Sequence, residues 1–226
     1  MNDESAELPR QRRGITPQMV GRFPDFDVLD TVDQWDPVTR EAVMSRLSIQ
    51  GPLQFFSPDE EPALRALCDT LSHQHEEPRV PLAEMIDRKY AQGKLDGYRY
   101  DDMPDDRDTW HLVLQGVDEV ARRRFGRPFH QLDVESREGI CQDFSDGLLQ
   151  GGAWDALNVK RAFSVVMRGV ASQFYSHPWA WNEIGFGGPA YPRGFARFGE
   201  MSARESFEAP EAFTADPVRD VEARHE

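Results

Sequence analysis

The chain has 226 residues, with 40 acidic and 26 basic side chains and a formal charge of −14 at neutral pH. That balance argues against a nucleic-acid surface, which needs clustered Lys and Arg, and against docking on an anionic membrane. No stretch approaches the roughly 18 apolar residues of a membrane span, and two cysteines, Cys68 and Cys141, are too few for a disulfide scaffold or a four-cysteine zinc site.

Residues 1–21 are polar, charged and without periodicity, and read as a flexible N-terminal tail. Arg12-Arg13 invites a twin-arginine export reading. The following Gly14 to Arg22 lacks a sustained apolar region and a small-residue cleavage site. The expectation is therefore no signal peptide and a cytoplasmic location, with export alongside a partner as the alternative. Phe23 to Leu29 carries four large apolar residues around Pro24 and reads as an extended strap, with Trp35 as its anchor.

The first helix is expected from Asp36-Pro37, where Asp suits the N-cap and Pro the first helical position. Val38, Ala42, Val43 and Leu47 form its apolar face. Ser57-Pro58-Asp59-Glu60 is a capping-box signature with Pro at the first position of a second helix. Leu64, Leu67, Cys68 and Leu71 follow at helical spacing. A third helix runs from about Pro81 to Tyr90, with Leu82, Met85 and Ile86 inward. After an acidic connection over 93–108, a fourth reaches Phe125, with Trp110, Val113, Leu114, Val117, Val120 and Ala121 as its stripe and Gly126 as its stop. A fifth covers about 134–149, with Ile140, Cys141, Phe144 and Leu148 on one side. A sixth covers about 155–175, with Val159, Phe163, Val166, Met167, Val170 and Phe174 inward. Convincing period-two runs and Asn-Gly turns are missing. The fold expectation is all-α: about six helices in one bundle-like domain over residues 22–200, an irregular aromatic, Gly- and Pro-rich C-terminal loop, and a charged tail over 201–226.

Chemical motifs are sparse. Without G-x-G-x-x-G or strands for it to follow, dinucleotide binding by the usual fold is not expected. Without G-x-S-x-G, and with Ser164 in mid-helix, nothing points to a serine hydrolase. His73-Gln74-His75-Glu76-Glu77 offers ligands for zinc or iron and would be the site of a stand-alone metal-dependent enzyme. Residues i and i+2 do not share a helical face, however, and the run sits where a helix ends before Pro78. A solvated helix terminus is the preferred reading, and no metal ligand is assigned. Asp96, Asp101, Asp102, Asp105, Asp106 and Asp108 lack the order of a calcium loop and read instead as caps and first-turn acids. Arg122-Arg123-Arg124 reads as compensation of a helix C-terminus.

The informative stretch is residues 174–195. It combines the aromatics Phe174, Tyr175, Trp179, Trp181, Phe186, Tyr191 and Phe195 with Gly185, Gly187, Gly188 and Gly194, and is broken by Pro178, Pro189 and Pro192. Aromatics bring large contact areas and enrich binding hot spots, while Gly and Pro let the backbone turn tightly. The competing reading is a terminal loop folded over the bundle with its aromatics in the core. His177, between Ser176 and Pro178, reads as a helix-end cap or a buried hydrogen bond.

These residues also carry a likeness. Phe55-Phe56-Ser57-Pro58-Asp59-Glu60, Pro78-Arg79-Val80-Pro81, Ile86-Asp87, Phe174-Tyr175-Ser176-His177-Pro178 and Trp181-Asn182-Glu183-Ile184-Gly185-Phe186 resemble the gluconate 2-dehydrogenase subunit 3 family, over about residues 53–195. The closing block is the most specific part. Where many relatives have a Gly-Gly-Asn block, this chain has Trp179-Ala180-Trp181-Asn182. The resemblance implies a non-catalytic small or maturation subunit of a flavin-dependent sugar or polyol dehydrogenase of the glucose-methanol-choline type. FAD would be bound by the large partner subunit and no cofactor by this chain. The expected partner-binding residues are Phe174, Tyr175, His177, Trp179, Trp181, Asn182, Gly185, Phe186, Gly187, Gly188 and Tyr191. A purely structural helical interaction protein is a further alternative.

Overall fold

The computed structural model describes residues 27–49, 51–75, 79–184 and 186–189. The sequence-predicted tails over 1–21 and 201–226 lie outside these residues, as does the Phe23–Phe26 part of the strap. The described residues hold seven α-helices, three short 3-10 segments and no strand, which agrees with the all-α expectation. They fall into two compact units, one made of Ile49–Phe174 and one made of the chain on either side of it.

The continuous unit contains α2 (Glu61–Leu71), α3 (Leu82–Ala91), α4 (Asp106–Phe125), α5 (Val134–Asp146) and α6 (Val159–Phe174). Its core is the set of stripes expected from helical spacing. Leu64 and Leu67 of α2, Ile86 of α3, the α4 stripe from Trp110 to Ala121, Ile140 and Phe144 of α5, and Val166 and Val170 of α6 are all buried. Trp154, in the 3-10 segment Gly152–Ala156, adds a large ring to it. Gly116 of α4 makes room for that ring: a Cβ there would sit 2.6 Å from the Trp154 indole, closer than side chains pack.

The helix ends follow local chemistry. Asp105 caps α4 by accepting from the Arg107 and Asp108 amides at 2.8 and 3.0 Å. Gly126 closes that helix in the left-handed conformation. Of the other acids, Asp96 pairs with Lys89 and Arg168, Asp101 and Asp102 meet Arg161, and Asp106 and Asp108 stand in the first turn of α4. Of the Arg122–Arg124 run, Arg122 meets Asp118 and Arg124 meets Asp143.

Several boundaries differ from the sequence reading for identifiable reasons. Pro58 does not open α2. A turn over 58–60 precedes it, and the Glu60 carboxylate reaches back to the Ser57 amide at 2.9 Å, which is half of a capping box. α5 ends at Asp146 because Gly147 turns left-handed, which puts Leu148 on the surface rather than on the inner face. α6 starts at Val159, after the separate 3-10 segment. Val38 lies on the open first turn of α1 (Pro37–Leu47) and is exposed.

Asp87 of α3 organises the entry to this unit. Its buried carboxylate accepts from three consecutive amides, Gln54 at 2.8 Å, Phe55 at 2.8 Å and Phe56 at 3.0 Å. A charged acceptor makes strong bonds, and three N–H groups left without it would be costly. Asp87→Ala is expected to lower the unfolding free energy by about 3 kcal/mol or more. Asp87→Asn, which keeps an acceptor oxygen, should lose less. Urea titration of the two variants checks both magnitude and order.

Candidate functional site

In the discontinuous unit, residues 27–48 pack with residues 175–189. The expected strap is not extended beyond Asp27: Val28–Gln34 is a 3-10 helix, capped by the Asp27 carboxylate on the Leu29 amide at 3.0 Å. α1 follows, with Asp36 capping the Val38 and Thr39 amides. The stretch read as an irregular loop contains a further helix, α7 (Pro178–Ile184). His177 is its cap. The His177 carbonyl accepts from Ala180 and Trp181, and its Nδ1 accepts from the Trp179 amide at 3.2 Å. Pro178 stands at the first helical position, where a missing N–H costs nothing.

Asn182 joins the two sequence-distant parts of this unit. Its Oδ1 accepts from the Val28 amide at 2.7 Å and its Nδ2 donates to Asp27 at 3.2 Å. Arg46 of α1 donates to the Ser176 carbonyl at 2.6 Å and lies 5.7 Å from the centre of the Trp181 ring. Trp181 donates through Nε1 to the Tyr175 carbonyl at 2.6 Å and buries its ring with Val28, Trp35 and Val43. Gly188 is required where it stands. Its φ is +78°, and a Cβ would lie 2.7 Å from Val28 and 3.3 Å from Trp35.

The expected partner-binding residues therefore separate by exposure. His177 and Asn182 are buried, and Trp179 and Trp181 are only 2% and 6% exposed. Tyr175, Ile184 and Phe186 show 46%, 40% and 43% of their surface, and the Phe186 ring meets Trp181 edge to face at 5.4 Å. Gly187 is half-buried and Gly188 buried. Phe174 closes α6 and belongs to the other unit. Gly185 and Tyr191 lie outside the described residues. Ile184 was quoted only within the family-like block, because a single aliphatic residue after Glu183 carries no binding signal of its own.

The continuous unit holds two groups of ionisable side chains. His111 of α4 places Nδ1 2.5 Å from Oε1 of Glu60. Burial would raise the Glu60 carboxyl, but hydrogen bonds from His111 and Ser57 outweigh it and hold the group below its ordinary range. The pair borders a cleft of about 310 Å³ whose lining also includes Asp118 and His130 but no Ser, Thr, Cys or Tyr. A carboxylate-held imidazole can move a proton. The lining of the cleft offers it no hydroxyl or thiol to activate, and burial pushes the Cys141 thiol up to about 12 and that of Cys68 further.

The second group corrects the helix-face argument made for the His73–Glu77 run. α2 ends at Leu71, so His73 and His75 lie beyond it, and the rule against i and i+2 sharing a face does not apply. Their rings meet, with Nε2 of His75 3.0 Å from Nδ1 of His73, and both face Glu138 of α5. Glu76 and Glu77 lie outside the described residues. Glu138, 63 positions beyond His75 in the chain, had no local signal; only the packing of α2 against α5 brings it there.

The family model for gluconate 2-dehydrogenase subunit 3 matches residues 58–188. The match includes the Ser-His-Pro and Trp-Asn-Glu-Ile blocks and stops short of Phe55-Phe56 at its start. No curated protein and no solved structure matches the chain.

Burial lowers the His177 pKa from 6.5 to about 4, with the Arg46 charge adding to the effect. The folded state thus keeps this ring neutral, whereas the unfolded chain takes up a proton as pH falls below about 6.5. Stability from this group is complete above pH 6.5 and is lost on descent towards pH 4. Between pH 7 and pH 5 the loss should be about 2 kcal/mol. His177→Asn, which retains a capping acceptor but no titrating ring, should lack that component. Paired denaturant titrations at the two pH values measure the difference.

Proposed function

Because the chain belongs to the gluconate 2-dehydrogenase subunit 3 family, we propose that it serves as the accessory subunit of a dehydrogenase whose large subunit holds FAD and oxidises a sugar or polyol, a flavoprotein of the glucose-methanol-choline type. In this reading the small chain carries no chemistry of its own. It supplies a folded surface on which the large subunit matures or assembles.

The observation that carries this reading is the construction of the family-matched closing block. His177, Trp181 and Asn182 are spent on internal hydrogen bonds and packing. That scaffold leaves Tyr175, Ile184 and Phe186 as large apolar or aromatic groups in the open. Rigid aromatic groups of this kind are what protein–protein hot spots use. Trp179 and Trp181 then act by holding the surface in shape rather than by lying in the interface.

The test is affinity purification of the tagged full chain from its native host. The visible spectrum of what co-elutes is recorded and the captured protein identified by mass. A stoichiometric yellow flavoprotein of the named type is the expected result. A colourless lone chain, in cells shown to express such a flavoprotein, would overturn the assignment. The double variant Tyr175→Ser/Phe186→Ser should weaken capture about tenfold or more, equivalent to about 1.4 kcal/mol, without loss of helical signal. Equal capture by variant and wild type would remove this surface from the interface.

A further inference from the structure

We propose that His73, His75 and Glu138 form a binding site for one divalent ion of the zinc class, which ties the turn after α2 to α5. The ligand atoms are Nδ1 of His73, Nε2 of His75 and Oε1 of Glu138. Their separations are 3.0 Å between the two nitrogens, 3.5 Å from His73 to Glu138 and 3.3 Å from His75 to Glu138. Two ligands of a tetrahedral zinc, each about 2.0–2.1 Å from the metal, lie about 3.3–3.4 Å apart. All three observed edges are close to that value. A triangle with these edges has a circumradius of about 1.9 Å, so a point about 2.0–2.1 Å from all three atoms exists just off their plane. The side chains are partly exposed, which leaves an entry path and a fourth position for water.

Hydrogen bonding alone does not account for the arrangement. The two contacts with Glu138 are longer than an ordinary N–H···O bond, and one proton at most can lie between the two ring nitrogens. Three lone-pair-bearing atoms converge on one point that a cation would satisfy. Two imidazoles and a carboxylate are the donor set of zinc rather than of calcium or magnesium.

The backbone sets how the two rings are presented. After α2 the Gln74 amide donates to the Asp69 carbonyl at 2.8 Å and the His73 amide to Thr70 at 3.2 Å, the pattern of a Schellman cap. That cap places its turning residue in the left-handed region, where glycine is usual. Here the residue is His73, at φ +54°, and it is the one non-glycine residue with positive φ among the described residues. His is among the non-glycine residues that enter this region most often, and the turn places its imidazole beside His75 and Glu138. Between the two histidines, buried Gln74 accepts from the Val80 amide at 2.7 Å and donates to the Val80 carbonyl at 3.3 Å. The segment that presents both rings is thereby anchored before any metal arrives.

The test uses the full chain with its tag removed, stripped with a chelator and titrated with zinc by calorimetry, and with cobalt(II) as an optical probe of tetrahedral coordination. The expected result is one zinc per chain and a higher thermal midpoint in its presence. His75→Ala and Glu138→Gln should each weaken binding at least about tenfold. His73→Gly separates binding from folding. It removes a ligand and relieves the strained turn, so the metal-free protein should melt about 2 °C higher while the response to zinc disappears. Failure of the stripped wild type to take up zinc, or undiminished binding in Glu138→Gln and His73→Gly, would overturn the proposal.

Discussion

The continuous unit depends on one buried carboxylate. Asp87 of α3 meets three successive amides of the segment that enters α2. These amides precede the helix, so no helical carbonyl can take them. The carboxylate satisfies all three at once and fixes where Phe55 and Phe56 enter. Phe56 then stacks edge-on against Trp110 at 6.1 Å, and Phe55 lies 4.8 Å from the His111 ring. Glu60, one turn further on, receives His111 from α4. The positions of α2, α3 and α4 are thus coupled through polar contacts as well as through their apolar stripes.

The same contact joins two short motifs that lie far apart in the sequence. Phe55-Phe56 and Ile86-Asp87 were noticed as parts of one likeness, yet nothing in periodicity linked them. Their bond is backbone to side chain, and a backbone amide leaves no trace in residue identity. The α4 stripe, by contrast, could be read residue by residue because burial on one helical face imposes a spacing that no other constraint disturbs. Helix ends fell between these cases. Asp36 was read as a cap from its type, and the acids before α4 were read as caps and first-turn residues, of which Asp105 is the cap. His177 was missed as the start of a helix because it is not among the usual capping residues and Pro178 was taken for a breaker. The rule that placed Pro37 at the first position of α1 applies equally to Pro178.

The candidate site residues show the same division. The aromatic stretch stands out by composition, but sequence does not distribute its members between interior and surface. That distribution is set by Asn182 and Trp181 finding partners more than a hundred residues upstream. The grouping of His73, His75 and Glu138 was hidden for two reasons. The i and i+2 spacing counts against the histidines only if both lie on a helix, whereas α2 ends before them, and the third member arrives on a different helix. Left-handed turns at a non-glycine residue are rare enough that composition argues against them.

The discontinuous unit is assembled from chain segments that flank the continuous one. Val28 and its neighbours cannot bury their side chains against Trp181 until residues near 182 exist. During synthesis from the N-terminus, Ile49–Phe174 can collapse as soon as α6 is complete, since all of its core partners have by then emerged. Residues 27–48 must instead wait through the translation of an entire intervening unit, with Val28, Trp35 and Val43 uncovered. The order of maturation is therefore written into the topology: the middle of the chain first, its beginning and end last and together. Any factor that shields early-exposed apolar surface on the nascent chain would find its target in the segment made first and folded last.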